Sequence, residues 1–510
     1  MSSRTRFLPM RWSFCIPVVT LLPMLVFPGP SRAQTTTAPA SRPNIVLIIA
    51  DDVSATDIGC YGNRDVRTPN LDHLASRGQR WSRAYLTATV CSPTRCSIIA
   101  GRYPHNTGAP ELHTAIPKGQ PLFPLELRKA GYWTAQAGKW HMGPYPKAAF
   151  DVIVDSRDRN GDSGCEFWVP LLRKRPTDKP FFLWLASFDA HRAWQPDPDG
   201  EPHDADAIEL PEPLVDTPGV REDLAKYYDE IQRLDRFVGE VVQELKTQDI
   251  LDNTLLLFIS DNGRPFPRAK RWQTEEGMRT PWILHWPAGL REKGRTCEQL
   301  VSVIDIAPTF LALAGVAVPE AVQGRSFLPQ IRNPDAKICD YVFCERNWQV
   351  ESCHERALRY GPWSYYRNAI PDVAHFGYVN ATYANYRYVG YVDLWKKHCS
   401  GAPLTPAQET VFLKPRPKEQ LFHLGNDPLE VHDLAGDPAQ QEMLHKLRST
   451  MDLWIEQTAD SVPPKHRRTP DRHDRLTGKR RFPGPHPGPD QFERPGQSTS
   501  GTEVNHPGPR

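Results

Sequence analysis

The chain has 510 residues, which is long enough for a large hydrophobic core and for more than one domain. Its 62 Lys and Arg residues nearly balance its 60 Asp and Glu residues, so the net charge is only +2. This balance excludes a global electrostatic attraction to nucleic acid or to an anionic membrane surface. We therefore expect no nucleic-acid partner.

The N-terminal residues 1–33 have the pattern of a signal peptide. Basic residues precede an apolar stretch over residues 14–27, and small residues up to Ala33 suit cleavage. The apolar stretch is short and is interrupted by prolines, which favours export over a membrane anchor. The pattern predicts a secreted or periplasmic protein without stable membrane association.

Three continuously apolar segments are typical of strands buried on both faces: residues 44–50, 180–187 and 254–260. Polar residues follow each segment, and in open α/β sheets ligands bind beyond the carboxyl ends of the strands. We therefore expect these side chains to share one site. The carboxylates and the amide among them are oxygen ligands, which favour calcium or magnesium over zinc or copper. The residues that follow the three segments are Asp51, Asp52, His191, Asp261 and Asn262.

Two helices are predicted around these strands. One begins after Thr68, which would cap it, and ends at Gly78. The other is a long amphipathic helix over about residues 221–248. Beyond residue 334 aromatic and polar residues mix, at 360–366 and 378–391, which favours an antiparallel sheet beside the main domain.

The later part of the chain completes the predicted domain organisation. A catalytic domain over residues 42–334 is expected to be followed by a smaller C-terminal domain over residues 335–461, with a strand near 421–424 and a helix near 439–459. Residues 462–510 are rich in Pro, Gly, Arg and His and poor in apolar side chains. Such a segment buries too little surface to fold alone, so we expect a disordered basic tail.

A cysteine lies close to an arginine in the segment Cys91–Arg95, which reads C-S-P-T-R. From these residues alone, Cys91 is either a buried structural cysteine at the start of a helix or a thiolate nucleophile.

This segment resembles the C-x-P-x-R motif of type I sulfatases, and the following I-I-A-G-R matches the continuation usual in that family. Residues 131–141, which end in G-K-W-H, are similar to the second signature of these enzymes, and residues 421–428 resemble a late element of the family. The resemblance covers about residues 42–460 and is nearest to the heparan N-sulfatase (sulfamidase)-like branch. The chain departs from related bacterial enzymes at Gln349, where they carry a histidine.

The resemblance implies an alkaline-phosphatase-like α/β fold, with a mixed sheet between helices and a smaller C-terminal antiparallel sheet domain. It implies that a formylglycine-generating maturation enzyme oxidises Cys91 to Cα-formylglycine. It also implies one bound calcium ion, whose ligands would be Asp51, Asp52, Cys91, Asp261 and Asn262.

The resemblance assigns a role to each remaining site residue. Arg95 would stabilise the aldehyde hydrate, and His141 would steady it and assist elimination of sulfate. Lys139 and Lys270 would clamp the sulfate oxygens, with Arg268 and Arg271 as alternatives to Lys270. The leaving oxygen or nitrogen would receive its proton from His191.

The implied reaction is hydrolysis of O-sulfate or N-sulfate on a sulfated glycan. Substrate contacts are expected near His113 and in residues 345–359, where His354 is a candidate. One alternative is a phosphonate or phosphodiester hydrolase, since some of these share the fold and the aldehyde residue. The other is an inactive relative that binds sulfated glycans, which would be expected to lack catalytic residues.

Overall fold

The computed structural model describes residues 42–347, 353–372, 388–462 and 501–510. The predicted signal peptide and Gln349 lie outside these ranges. Within them, no helix combines the length and the apolar character that a membrane crossing requires.

The strands fall into a large sheet, a short strand pair and a four-stranded sheet. In chain order they are β1 (Asn44–Ala50), β2 (Gln79–Trp81), β3 (Ala84–Tyr85), β4 (Trp133–Gly138), β5 (Val152–Val154), β6 (Phe181–Ala186), β7 (Thr254–Ser260), β8 (Trp282–His285), β9 (Arg295–Cys297), β10 (Val301–Ser302), β11 (Tyr341–Arg346), β12 (Glu355–Tyr360), β13 (Trp363–Asn368) and β14 (Glu419–His423).

The α-helices alternate with the strands through the first half of the described chain. They are α1 (Pro69–Arg77), α2 (Cys91–Ala100), α3 (Pro104–Thr107), α4 (Phe123–Lys129), α5 (Arg157–Asn160), α6 (Trp168–Arg173), α7 (Pro218–Thr247), α8 (Glu275–Met278), α9 (Ile306–Leu313), α10 (Leu328–Arg332), α11 (Val389–Cys399), α12 (Pro406–Thr410) and α13 (Gln441–Thr458).

The large sheet has eight strands in the order β5-β4-β6-β1-β7-β8-β2-β9. Strands β5, β4, β6, β1 and β7 run parallel, and β8 pairs antiparallel with both β7 and β2. The sheet is therefore mixed, as the resemblance implied.

Strand β1 lies at the centre of this sheet and is buried on both faces, which explains its unbroken apolar sequence. Ile45 and Leu47 pack into one core cluster together with side chains of α4 and α9. Val46 and Ile48 pack into a second cluster with the apolar stripe of α7. The prediction of a mixed sheet between helices is confirmed.

The four-stranded sheet β11-β12-β13-β14 is antiparallel, as predicted, and α13 packs against it. Phe343 of β11 stacks on Trp454 of α13, with ring centroids 4.9 Å apart. The prediction of sheet at residues 378–391 was wrong for its described end, because Val389–Cys399 form α11. Tyr391 and Leu394, three residues apart, are buried on one side of that helix, which is a helical period.

Thr68 precedes α1, but its hydroxyl does not bond the first turn as a cap would. It accepts a hydrogen bond from the Gly59 amide at 2.9 Å instead.

Residues 501–510 pack against the folded protein, although composition predicts disorder from residue 462 onward. The Arg510 guanidinium pairs with Asp305 at 2.7 Å, and both side chains are fully buried. The guanidinium of Arg102 donates to the carbonyls of Thr502 and Val504. The contacts are polar and directed at the backbone, so they leave no apolar pattern in the sequence. Residues 463–500 lie outside the described ranges.

We expect Arg510→Met to lower the free energy of unfolding by about 3 kcal/mol, because it leaves Asp305 buried without its partner. Equilibrium urea unfolding measures this change. Arg295→Met is the matched control, because it removes an ion pair whose side chains are 44% and 62% exposed. Equal, small effects of the two substitutions would show that Arg510 does not anchor this segment.

Candidate active site

The carboxyl ends of four adjacent parallel strands meet at one edge of the large sheet. Asp51 and Asp52 follow β1, and Asp261 and Asn262 follow β7, which pairs with β1 in register up to Ala50 and Ser260. Backbone hydrogen bonds continue past the strand ends, from Asp51 to Asp189 and from Asp261 to Ala50. The loops that carry the acidic residues are therefore fixed by the sheet itself.

Helix α2 begins at Cys91 and brings its side chain to this edge. The Sγ atom lies 3.8 Å from Oδ1 of Asp51. Ligand atoms of Asp51, Asp52, Cys91 and Asp261 all lie within 4.8 Å of one another. The structure thus brings together the predicted metal ligands that offer a carboxylate or a thiol.

Asn262 completes the cluster. Its Nδ2 donates to Asp52 at 2.6 Å, whereas its Oδ1 is buried and has no hydrogen-bond partner among the described residues. A buried amide oxygen without a partner is costly unless a further group binds it. Carboxylate and amide oxygens at this spacing fit a hard divalent cation such as calcium.

Three cationic side chains pair with the three aspartates. Arg95 Nε donates to Asp261 at 2.7 Å, and Lys270 Nζ donates to Asp52 at 2.6 Å. The ammonium of Lys139 donates to Asp51. Each aspartate is at most 1% exposed, so this pairing offsets much of the cost of burying charge.

The pKa of Asp52 shows that the nearby cations outweigh the effect of burial. Burial by itself raises the pKa of this carboxyl, but Lys270, His191 and Lys139 outweigh burial and lower it. Lys270 in turn has a pKa well above its ordinary value, because its attraction to Asp52 outweighs its burial.

The Cys91 thiol is 2% exposed. Burial raises its pKa to about 12, although Lys139 and Lys270 act in the opposite direction. The thiol is therefore protonated near neutral pH. This result disfavours an unmodified thiolate as the nucleophile.

Two histidines lie at the site in different environments. His141 is buried, and its pKa is well below the ordinary value because of burial and then of His113 and Lys139. His191 has a side chain that is 43% exposed, and its Nε2 lies 4.0 Å from Asp52. Its Nδ1 lies 2.6 Å from the Arg192 carbonyl, so Nδ1 carries the hydrogen and Nε2 faces the acidic cluster.

The structure separates Lys270 from the two arginines that were alternatives to it. Arg268 turns away from Asp52 and donates to the carbonyls of Leu429 and Glu430. The Arg271 guanidinium lies 5.9 Å from the ring centre of Tyr391. Lys270 is the residue of this segment that contacts Asp52.

The region expected to contact substrate around residue 354 is mostly buried structure. His354 is 5% exposed and lies 2.8 Å from the Arg356 guanidinium. Glu345 accepts from the His105 ring at 2.6 Å, and Arg356 pairs with Asp460. These contacts join the four-stranded sheet to His105 of α3 and to Asp460, which follows α13, so the structure does not support His354 as a substrate contact.

Sequence reasoning missed that the His113 ring contacts His141, at 2.8 Å between Nδ1 and Nε2. Twenty-eight residues separate the two histidines, so no local pattern reveals the contact.

The mixed sheet between helices, with a strongly charged centre at one of its edges, defines an α/β protein of the alkaline-phosphatase-like class. The sulfatase family model matches residues 43–316, and the chain belongs to this family. A second model, "N-sulphoglucosamine sulphohydrolase, C-terminal", matches residues 268–396. The protein is a sulfatase.

Similar proteins include other sulfatases. An "Ulvan-active sulfatase" of Formosa agariphila is 29% identical over 467 residues, covering 82% of this chain and 76% of the relative. The human "N-sulphoglucosamine sulphohydrolase" is 28% identical, covering 82% and 91% of the two chains. A solved structure of BT4656 with its substrate D-glucosamine-2-N,6-O-disulfate matches with a TM-score of 0.61 and 20% identity, over 81% of this chain and 97% of that one. At 20% identity, the match to this solved structure shows a shared fold and nothing about the substrate of the present protein.

Proposed function

We propose that this sulfatase hydrolyses sulfate groups on a sulfated carbohydrate, using a formylglycine made from Cys91 and one calcium ion. The observation that carries the proposal is the position of Cys91, within 4.8 Å of three carboxylates. The high pKa of its thiol also supports conversion, because a protonated thiol is a poor nucleophile. An aldehyde at residue 91 would, as its hydrate, supply an oxygen nucleophile.

Asp51, Asp52, Asp261 and Asn262 would hold the calcium ion together with residue 91. The ion would supply positive charge beside the sulfate oxygens. Three buried aspartates and three cations cancel one another, since Arg95, Lys139 and Lys270 each pair with one carboxylate. With a divalent cation the centre would carry two surplus positive charges, which suits an anionic sulfate group.

Four further side chains around this centre would bind the sulfate group, orient residue 91 and protonate the leaving group. Lys139 and Lys270 would neutralise the oxygens of the sulfate group, as cations do where charge develops in a transition state. Arg95, held by Asp261 and the Lys139 carbonyl, would orient residue 91. The half-exposed His191 would, as the doubly protonated imidazolium, donate its Nε2 proton to the leaving group, because Nε2 faces the cluster from the open side.

A carbohydrate substrate is favoured by the named activities of the relatives. One is named for ulvan and another for N-sulphoglucosamine. A secreted or periplasmic location, which remains a prediction from residues 1–33, would give access to such polymers. Both O-sulfate and N-sulfate fit the charged centre, and separate assays with N-sulfated and O-sulfated glucosamine would distinguish them.

The test is expression with a formylglycine-generating enzyme, followed by labelling with an aldehyde-specific probe and mass spectrometry of the peptide containing residue 91. We expect a labelled aldehyde at that position. The same preparation should release sulfate from N-sulfated or O-sulfated glucosamine faster than it releases phosphate from matched phosphate esters. A plain thiol at residue 91, in cells that modify a control sulfatase, would contradict the proposal. Faster phosphate release would favour the phosphonate or phosphodiester hydrolase alternative.

A further inference from the structure

The loop that carries His113 connects two parts of the site that are distant in sequence. The His113 amide donates to the hydroxyl of Ser92 at 2.8 Å. Ser92 is fully buried and directly follows Cys91 in the first turn of α2. The side chain of the same histidine reaches His141, on the loop after β4. His113 therefore contacts both α2, which begins at Cys91, and His141.

We propose that His113 is a positioning residue, which holds the His141 imidazole in one orientation at the candidate active site. This inference rests on the proposed function, together with the role that the family resemblance assigns to His141, which is to steady the hydrate at residue 91 and assist elimination of sulfate. His113 itself is assigned no contact with the reacting atoms.

The ring contact decides which nitrogen of His141 is available. The Nε2 atom of His141 lies 2.8 Å from His113 Nδ1, with ring centroids 4.8 Å apart. The other nitrogen, Nδ1, is buried and has no hydrogen-bond partner among the described residues. With Nε2 committed to His113, Nδ1 is the nitrogen left for the reaction.

The contact also couples the position of the proton on His141 to that on His113. Burial, followed by His113, Lys139 and Arg95, lowers the pKa of His141 well below the ordinary value, so its ring carries one N–H. If His141 Nε2–H donates to His113, Nδ1 keeps a lone pair that accepts a proton. If His113 donates instead, Nδ1 carries the hydrogen. In either case the tautomer of His141 is tied to that of His113, and without this partner the two tautomers of His141 are independent of it.

The backbone at both histidines is held in an uncommon conformation. His113 has a φ of 65° and His141 a φ of 68°, in the left-handed region that residues with a Cβ seldom adopt. Such conformations are strained and cluster at functional sites, where surrounding structure enforces them. The bond from His113 to Ser92 is one such enforcing contact.

Three substitutions at His113 test the inference. We expect His113→Ala to lower kcat on a sulfated glucosamine by about 10- to 100-fold, with KM within about twofold of wild type. His113→Asn should restore most of kcat, because its amide places a hydrogen-bonding group near the position of Nδ1 and Asn tolerates positive φ. His113→Gly relieves the backbone and lacks the ring, so it should behave like the alanine variant.

Several outcomes would overturn the inference. A raised KM with unchanged kcat would make His113 a substrate contact, and recovery in His113→Gly would assign the loss to backbone strain. Kinetics are normalised to the aldehyde content at residue 91, so a loss that disappears on normalisation also overturns it.

Crystal structures of the variants provide a readout that does not depend on turnover. We expect the His141 ring to be displaced or in two orientations in His113→Ala and to keep its place in His113→Asn. An unmoved ring in His113→Ala would contradict the inference. If the wild-type protein hydrolyses no sulfate ester, the proposed function fails, while these structures still decide whether His113 positions His141.

Discussion

Replacing Cys91 by alanine is expected to reduce sulfate release by at least about 10⁴-fold, even in cells that convert the wild-type residue. The substitution removes the thiol that has to be oxidised to give the aldehyde, so no nucleophile can form at residue 91, and loss of a nucleophile is among the largest effects in enzymes. The surrounding carboxylates and cations remain, so binding of the sulfated sugar should persist. Steady-state assays with isothermal titration of the same sugar measure the two effects separately.

Cys96 provides the matched control for this substitution. It lies on the same helix α2 and is fully buried, but it packs in the apolar core instead of facing the acidic cluster. We expect Cys96→Ala to keep kcat within about threefold of wild type, since removing a small buried group costs stability more than chemistry. Residual activity in Cys91→Ala equal to that in Cys96→Ala would contradict a nucleophile at residue 91.

Replacing His191 by alanine should affect substrates in proportion to how much their leaving groups need a proton. A sugar alkoxide is a poor leaving group, so kcat on a glucosamine O-sulfate should fall by about 10²- to 10⁴-fold. A 4-nitrophenolate leaves readily without a proton, so kcat on 4-nitrophenyl sulfate should fall less than about tenfold. Parallel assays of the two esters measure the ratio.

The geometry supports His191 as the general acid, because its Nδ1 is hydrogen-bonded to the Arg192 carbonyl and its Nε2 faces the acidic cluster. His432 is a control, since its side chain is 76% exposed and pairs only loosely with Asp427, at 3.7 Å. His432→Ala should leave both rates unchanged. Equal losses on both esters in His191→Ala would show that this histidine is not the general acid.

The centre of the fold was predictable from local sequence because it is governed by burial. Strands β1 and β7 have the predicted bounds, since a parallel strand covered on both faces has to be continuously apolar. The long helix α7 was also predicted within a few residues from its apolar stripe. Helix α11 was not predicted, because Val389, Tyr391 and Val392 suit a strand as well as a helix.

The acidic part of the site was predictable for a related reason. Parallel strands end at the same edge of a sheet, so residues after β1 and β7 had to lie close together. The pairing of His113 with His141 was not predictable, because two loops with positive φ bring these rings together. The packing of residues 501–510 was missed because it depends on polar contacts to backbone carbonyls.

The burial of Cys91 has a consequence for how the enzyme would mature. A side chain that is 2% exposed at the start of a buried helix does not reach the catalytic centre of a second enzyme. If Cys91 is converted as we propose, its oxidation would therefore have to precede the closing of the core around α2. Folding and maturation would compete in time, so a chain that folds faster would be trapped as an inactive thiol. The yield of active enzyme would then depend on the folding rate as well as on the abundance of the maturation enzyme.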